Sequence, residues 1–120
     1  MDSILTSVKK LLGITEEYEH FDEDIIIHIN SVFSILTQIG VGPVDGFFIQ
    51  DSGALWTDFI PEDPRLDMVK TFVYMKVKTL FDPPLSSVVG EAMNRALSEL
   101  EWRIQVAAER AETISEEGTA

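Results

Sequence analysis

A chain of 120 residues is long enough for one hydrophobic core and too short for two comfortable ones, so one domain is expected. With 45% hydrophobic and 25% charged residues it has the composition of a folded globular protein, and the lack of cysteine excludes disulfides and thiolate metal sites. Nine basic against 21 acidic residues give a net charge of -12, which disfavours binding to nucleic acid or to anionic membranes.

The start Met1-Asp2-Ser3-Ile4 lacks the basic and apolar runs of a signal peptide, and no apolar stretch approaches the ~20 residues of a membrane span. Cytoplasmic synthesis without membrane insertion is expected. Ser3 caps a short amphipathic helix with apolar residues at 4, 5, 8, 11 and 12, lysines in its last turn and Gly13 at its end. A polar link follows, in which Tyr18 and Phe21 can pin residues 15–21 to the body.

Asp22 or Asp24 caps a second helix running to about Ile39, with Gly40 just beyond. Ile25, Ile29, Val32, Leu36 and Ile39 form one stripe that Ile26, Phe33 and Ile35 widen, which places this helix across the centre of the core. From Gly40 to Pro61 the pattern breaks into glycine-punctuated apolar pieces, and Asp51-Ser52-Gly53 offers a turn for a small hairpin or extended loop. Asp63-Pro64 opens a third helix through about Phe81, stopped by Asp82-Pro83-Pro84. Ser86 or Ser87 caps a fourth, with Val89, Met93, Ala96, Leu97, Leu100, Ile104 and Ala107 at spacings of three and four, reaching about Glu112. The expectation is an all-α, four-helix domain over residues 1–113, with a small hairpin or extended loop between the second and third long elements, and a flexible acidic tail over 114–120.

No reactive constellation emerges, and no catalytic, cofactor-binding or metal-binding residue is expected. His20 and His28 lie eight apart and are not adjacent ligands, while Asp24 and His28 have the spacing of an ordinary helix-surface pair. Ser86 and Ser87 read as caps, since no glycine elbow or placed base accompanies them. Gly40-Val41-Gly42 follows a helix and lacks the lysine of a phosphate loop. The abundant acids make any single carboxylate pair, such as Glu16-Glu17, poor support for acid-base catalysis.

Two regions carry more signal. Phe47, Phe48, Ile49, Leu55, Trp56, Phe59 and Ile60 crowd an irregular segment of a kind that is usually polar. Either that segment folds back as a lid on the helices, or another chain completes it. In the last helix Trp102 and Val106 fall off the Leu100-Ile104 stripe, beside Arg103, and tryptophan with arginine is a favoured interface pair. The alternative is that Trp102 covers the rim of its own core.

A run of motifs in order also resembles a known family. Leu11-Leu12-Gly13-Ile14, Asp24 to Val32, Gln38 to Pro43, Trp56-Thr57-Asp58-Phe59-Ile60-Pro61, Lys76 to Pro84 and Glu99-Leu100-Glu101-Trp102-Arg103 are together similar to the small head-tail connector (adaptor) proteins of tailed phages and prophages of Gram-positive bacteria. The resemblance covers nearly the whole chain. It implies a helical structural protein that forms a ring, of twelve copies, under the portal protein in the virion neck, after assembly in the host cytoplasm. Such a ring extends the DNA channel, lets DNA pass without specific binding, and docks a stopper or tail protein. Carried onto this chain, it makes Trp102, Arg103, Val106 and Arg110 candidates for portal contact, and Phe47, Phe48, Trp56 and Phe59 candidates for contacts between subunits or with the stopper. The rival reading is a small acidic cytoplasmic module that regulates or sequesters another protein.

Overall fold

The computed structural model describes residues 3–62 and 64–119, with side chains as far as Arg110. Among the described residues five helices follow in order: α1 (Ile4–Leu11), α2 (Asp22–Gln38), α3 (Trp56–Phe59), α4 (Pro64–Phe81) and α5 (Ser87–Thr119). The all-α expectation is met. The four long helices are those read from the sequence, and α3 is a single added turn inside the apolar loop.

Helix ends follow the local chemistry. Ser3 Oγ accepts from the Thr6 amide at 3.3 Å, and Ser86 Oγ accepts from the Val89 amide at 3.4 Å. At the far end of α1, Gly13 takes a left-handed backbone with φ of 81°, letting the Ile14 amide donate to Lys9 O at 2.9 Å and its own to Lys10 O at 3.1 Å. Gly40 ends α2 in the same way, with Val41 donating to Leu36 O at 2.9 Å.

The start of α2 departs from expectation. Asp22 and Asp24 both lie inside its first turn, and the N-cap is Phe21, with no side-chain hydrogen bond. The cause is a neighbour on α1. Lys9 is buried, and its ammonium draws the Asp22 carboxylate to 2.8 Å while donating to Glu16 O at 2.9 Å. The acids still complement the positive end of the helix dipole. One buried cation thereby ties α1, the link and α2 together. Phe21 completes the link by packing edge-on against Phe81 at 5.4 Å, with Tyr18 against Phe21 at 5.8 Å.

The core is centred on α2, whose Ile25, Ile29, Val32, Phe33 and Leu36 are buried. Helix α4 packs against it through Leu66, Val69, Phe72, Val73 and Val77, and α5 packs against α4. Both spacings are those of a single apolar stripe, which is why neither helix can stand alone. Phe33 is the hub, with rings of Phe47, Trp56 and Phe59 at 5.2, 6.3 and 4.6 Å. Truncating such a ring to alanine costs about 3–5 kcal/mol.

Among the described residues no hairpin forms between α2 and α4. The segment is an irregular loop with one antiparallel bridge, Ser3 to Leu55, in which the Ile4 amide donates to Ala54 O at 3.0 Å. Its polar backbone is satisfied from the helices rather than from a second strand. Asn30 of α2 accepts the Ile49 amide at 2.7 Å and donates to Ile49 O at 3.0 Å. Helix α5 runs past the expected Glu112 to Thr119. The acidic tail expected from residue 114 falls where side chains lie outside the described residues, as does Asp63, expected in the first turn of α4.

Candidate functional site

Helix α5 faces α4 with Leu97 and Ile104, both buried. Trp102 and Val106 sit two residues either side of Ile104, and a turn of 3.6 residues carries them to the opposite side of the helix. Trp102 is 64% exposed and Val106 is also exposed. Arg103 and Arg110 are exposed on the same side, with Arg103 held by Glu99 at 2.7 Å. The portal-contact candidates therefore form one surface, and Trp102 does not cover the rim of its own core. Steps of seven from Trp102 add Arg95 and Val88, both exposed, to that face. Sequence reasoning passed over these two although the spacing was present.

The charge on this face is distinctive. The chain has four arginines, and three of them, Arg95, Arg103 and Arg110, lie along the outer side of α5 in a protein of net charge -12. Arginine presents a flat, weakly hydrated fork that stacks on or pairs with a partner at low cost of ordering. Beside an exposed tryptophan it makes a surface suited to protein contact.

The second set of candidates divides. Trp56 and Phe59 are buried in the subunit's own core, and Phe47 packs partly buried against Phe33 and Phe59 at 5.2 Å from each. Trp56 donates from Nε1 to Ser7 Oγ at 3.3 Å, and the Lys70 ammonium lies 5.7 Å from its ring centre. The loop is a lid on its own helices, one of the two expected arrangements. Phe48 alone of the four remains open, at 67% exposure. It flanks a shallow depression of about 300 Å³ shared with Asn30, Ser34, Thr37 and Asp45.

A larger concavity was not legible in the sequence at all. A groove of about 700 Å³ opens between the Gly40–Val44 loop, residues 59–61, the start of α4 and the inner side of α5 at Ile104 to Ala108. Gly42 borders it with a left-handed backbone, φ of 86°, against the Phe59 ring. Arg65 is its one charged lining residue among those described.

His20 packs edge-on against Phe21 at 4.9 Å and His28 faces Phe81 at 6.4 Å, so both serve aromatic packing. Among the described residues no three histidine or acidic side chains are grouped to hold a metal ion. No helix there is long and apolar enough to cross a membrane.

Fold and surface together define an all-helical domain whose notable features are an arginine-tryptophan helix face and an apolar groove, both features of proteins that act by contact. The model of the phage connector protein family matches residues 4–111, and the chain belongs to that family. It is thus a structural protein of a phage, of a class that contacts other head or tail components. No curated protein matches the chain, and no solved structure matches it either.

Proposed function

We propose that this chain is a head-tail connector that assembles as a ring of twelve under the portal in the virion neck, extends the DNA channel and docks the next neck component. It does no chemistry of its own and is assembled in the host cytoplasm. Trp102, with Val106, Arg103 and Arg110, meets the portal. Phe48 meets a neighbouring subunit or the stopper, while Phe47, Trp56 and Phe59 hold its loop in place from behind.

The observation that carries this reading is the exposure of Trp102 at the centre of an arginine-bearing helix face, in a chain matched to the connector family from end to end of its core. A large apolar ring left in water is a free-energy cost that partner binding removes, at roughly 25 cal/mol for each Å² covered. The charge of -12 fits a channel component, because it offers DNA few cations with which to replace its counterions.

Fluorescence tests the proposed face directly. Buried Trp56 and exposed Trp102 are the two tryptophans, so the red edge of the emission belongs to Trp102. Adding the portal protein encoded beside this chain should shift that emission to the blue, and Trp102→Phe should abolish the shift. Portal binding without a shift would place the contact elsewhere on the chain. No binding at all would favour a separate acidic binding module.

A further inference from the structure

Helix α5 is fastened to the body along one line. Among its described side chains only Leu97 and Ile104 are buried, facing α4, while the rest of the buried core comes from the other helices and the loops. Beside Ile104 the groove of about 700 Å³ opens between α5 and the body, so the seating is loose there. The connection from α4 is short and stiff. Pro83 and Pro84 fix their own φ and hold Asp82 and Pro83 in extended conformations, although α5 doubles back antiparallel to α4 within residues 82–86. Among the described residues no backbone hydrogen bond joins the two sides of this turn. Around it Leu80, Leu85, Val88 and Val89 all stand exposed. We propose that α5 is an exchangeable arm: on the portal, each copy lays its α5 along α4 of the next copy, in place of that copy's own, and the succession of exchanges closes the ring. The inference rests on the ring reading above.

The receiving surface fits the arm by construction, because the incoming α5 makes the contacts with α4 that the copy's own α5 makes in the closed chain. No new complementarity is required. Opening uncovers only two buried side chains of the arm, so it is a local event that leaves the core of α1, α2 and α4 in place. Exchange also relieves the linker, since a short connection forced to reverse against its own preference favours the swapped arrangement. In that arrangement the linker entering a copy lies beside the linker leaving it. Leu80, Leu85, Val88 and Val89 of successive copies then cover one another, which the closed chain leaves undone.

Trp102 and Val106 lie on the opposite side of α5 from Ile104, so the portal face stays free while the inner side changes partner. An exchange handed from copy to copy is head-to-tail, and with a suitable rotation it closes on itself. In a free chain the tether of residues 82–86 keeps the arm beside its own α4 at an effective concentration that no other copy matches. The free chain is therefore a closed monomer. The portal gathers copies side by side, which raises the neighbour's effective concentration and brings the exchange into play.

Lys76 on α4 and Ser98 on α5 line one depression of about 160 Å³, which supplies the reporters for a test. The chain has no cysteine, so Lys76→Cys and Ser98→Cys introduce its only thiols, and a short bis-maleimide joins them. Free in solution, the doubly substituted full-length chain should be bridged within itself and run as a monomer on a denaturing gel. Bound to the portal protein, it should instead give a ladder ending in a closed species, with the internally bridged form reduced at least tenfold. Chains bridged internally beforehand should bind the portal without closing a ring in negative-stain images. Chains that bridge only internally on the portal, with binding verified by co-sedimentation, or that close a ring after being locked, would overturn the exchange and leave the connector reading intact. Failure of the unsubstituted chain to bind the portal would overturn both.

Discussion

Asn30 does for Ile49 what a neighbouring strand would do. Its side-chain oxygen accepts the Ile49 amide at 2.7 Å and its nitrogen donates to Ile49 O at 3.0 Å, so both polar groups of a buried loop residue are satisfied from the face of a helix. Replacing Asn30 by alanine leaves an amide and a carbonyl unpaired in a largely dry site, at a cost of about 1–3 kcal/mol. Denaturant titration should show this loss, and amide exchange should rise first at Ile49. Asn30→Asp keeps the acceptor and loses the donor, so it should fall between alanine and wild type.

Gly42 sets the approach of the loop to Phe59. A methyl group there would overlap the ring edge on a backbone already left-handed. Alanine at 42 should cost about 2–4 kcal/mol, combining ~1–2 for the backbone with overpacking. Thermal unfolding checks the loss, and Phe59→Leu should recover part of it by making room. An additive result in the double variant would contradict direct contact.

These two contacts mark the limit of what the sequence reveals. Gly13, Gly40, Ser3, Ser86 and Pro83-Pro84 act within a few residues of themselves, so the helix ends that they mark were legible almost to the residue, whereas the end of α5, which has no such mark, was not. Asn30 and Ile49 meet across nineteen positions, and nothing local at either says so. For that reason hairpin and extended loop both stayed open, and the burial of Trp56 and Phe59 was not decided. The cap expected at Asp22 or Asp24 is Phe21 instead, and the partner that Asp22 takes, Lys9, lies on another helix. Trp102 and Val106 were legible because one helix suffices to put them opposite Ile104. The groove is built from four separate segments and left no local trace.

The Lys9–Asp22 pair should be sensitive to losing one partner and tolerant of losing both. Lys9 is 3% exposed at its side chain and Asp22 is 25% exposed, with Asp22 Oδ1 shielded from water and the lysine charge as its compensation. Lys9→Met should cost roughly 2–3 kcal/mol, less than the ~3–5 of a wholly buried pair because Asp22 keeps some water. Adding Asp22→Leu should restore most of it. Stability measured across the double-mutant cycle decides, and equal losses from each change without coupling would refute the tie.

Trp102 should separate stability from binding. Trp102→Ala removes an exposed side chain and should leave unfolding within about 0.5 kcal/mol of wild type. Portal affinity should fall at least ~30-fold, the effect of a ~2 kcal/mol anchor. Arg103→Ala should weaken binding less, since Arg103 is exposed and already paired with Glu99. An alanine at 102 that binds the portal as wild type does would remove this residue from the interface.

The most direct measurement is negative-stain imaging, with mass determination, of this chain mixed with the portal protein encoded nearest to it. The account predicts an added closed ring, coaxial with the portal, whose mass fixes the number of 13.5 kDa copies at twelve. Absence of any association across a range of salt and concentration would contradict it.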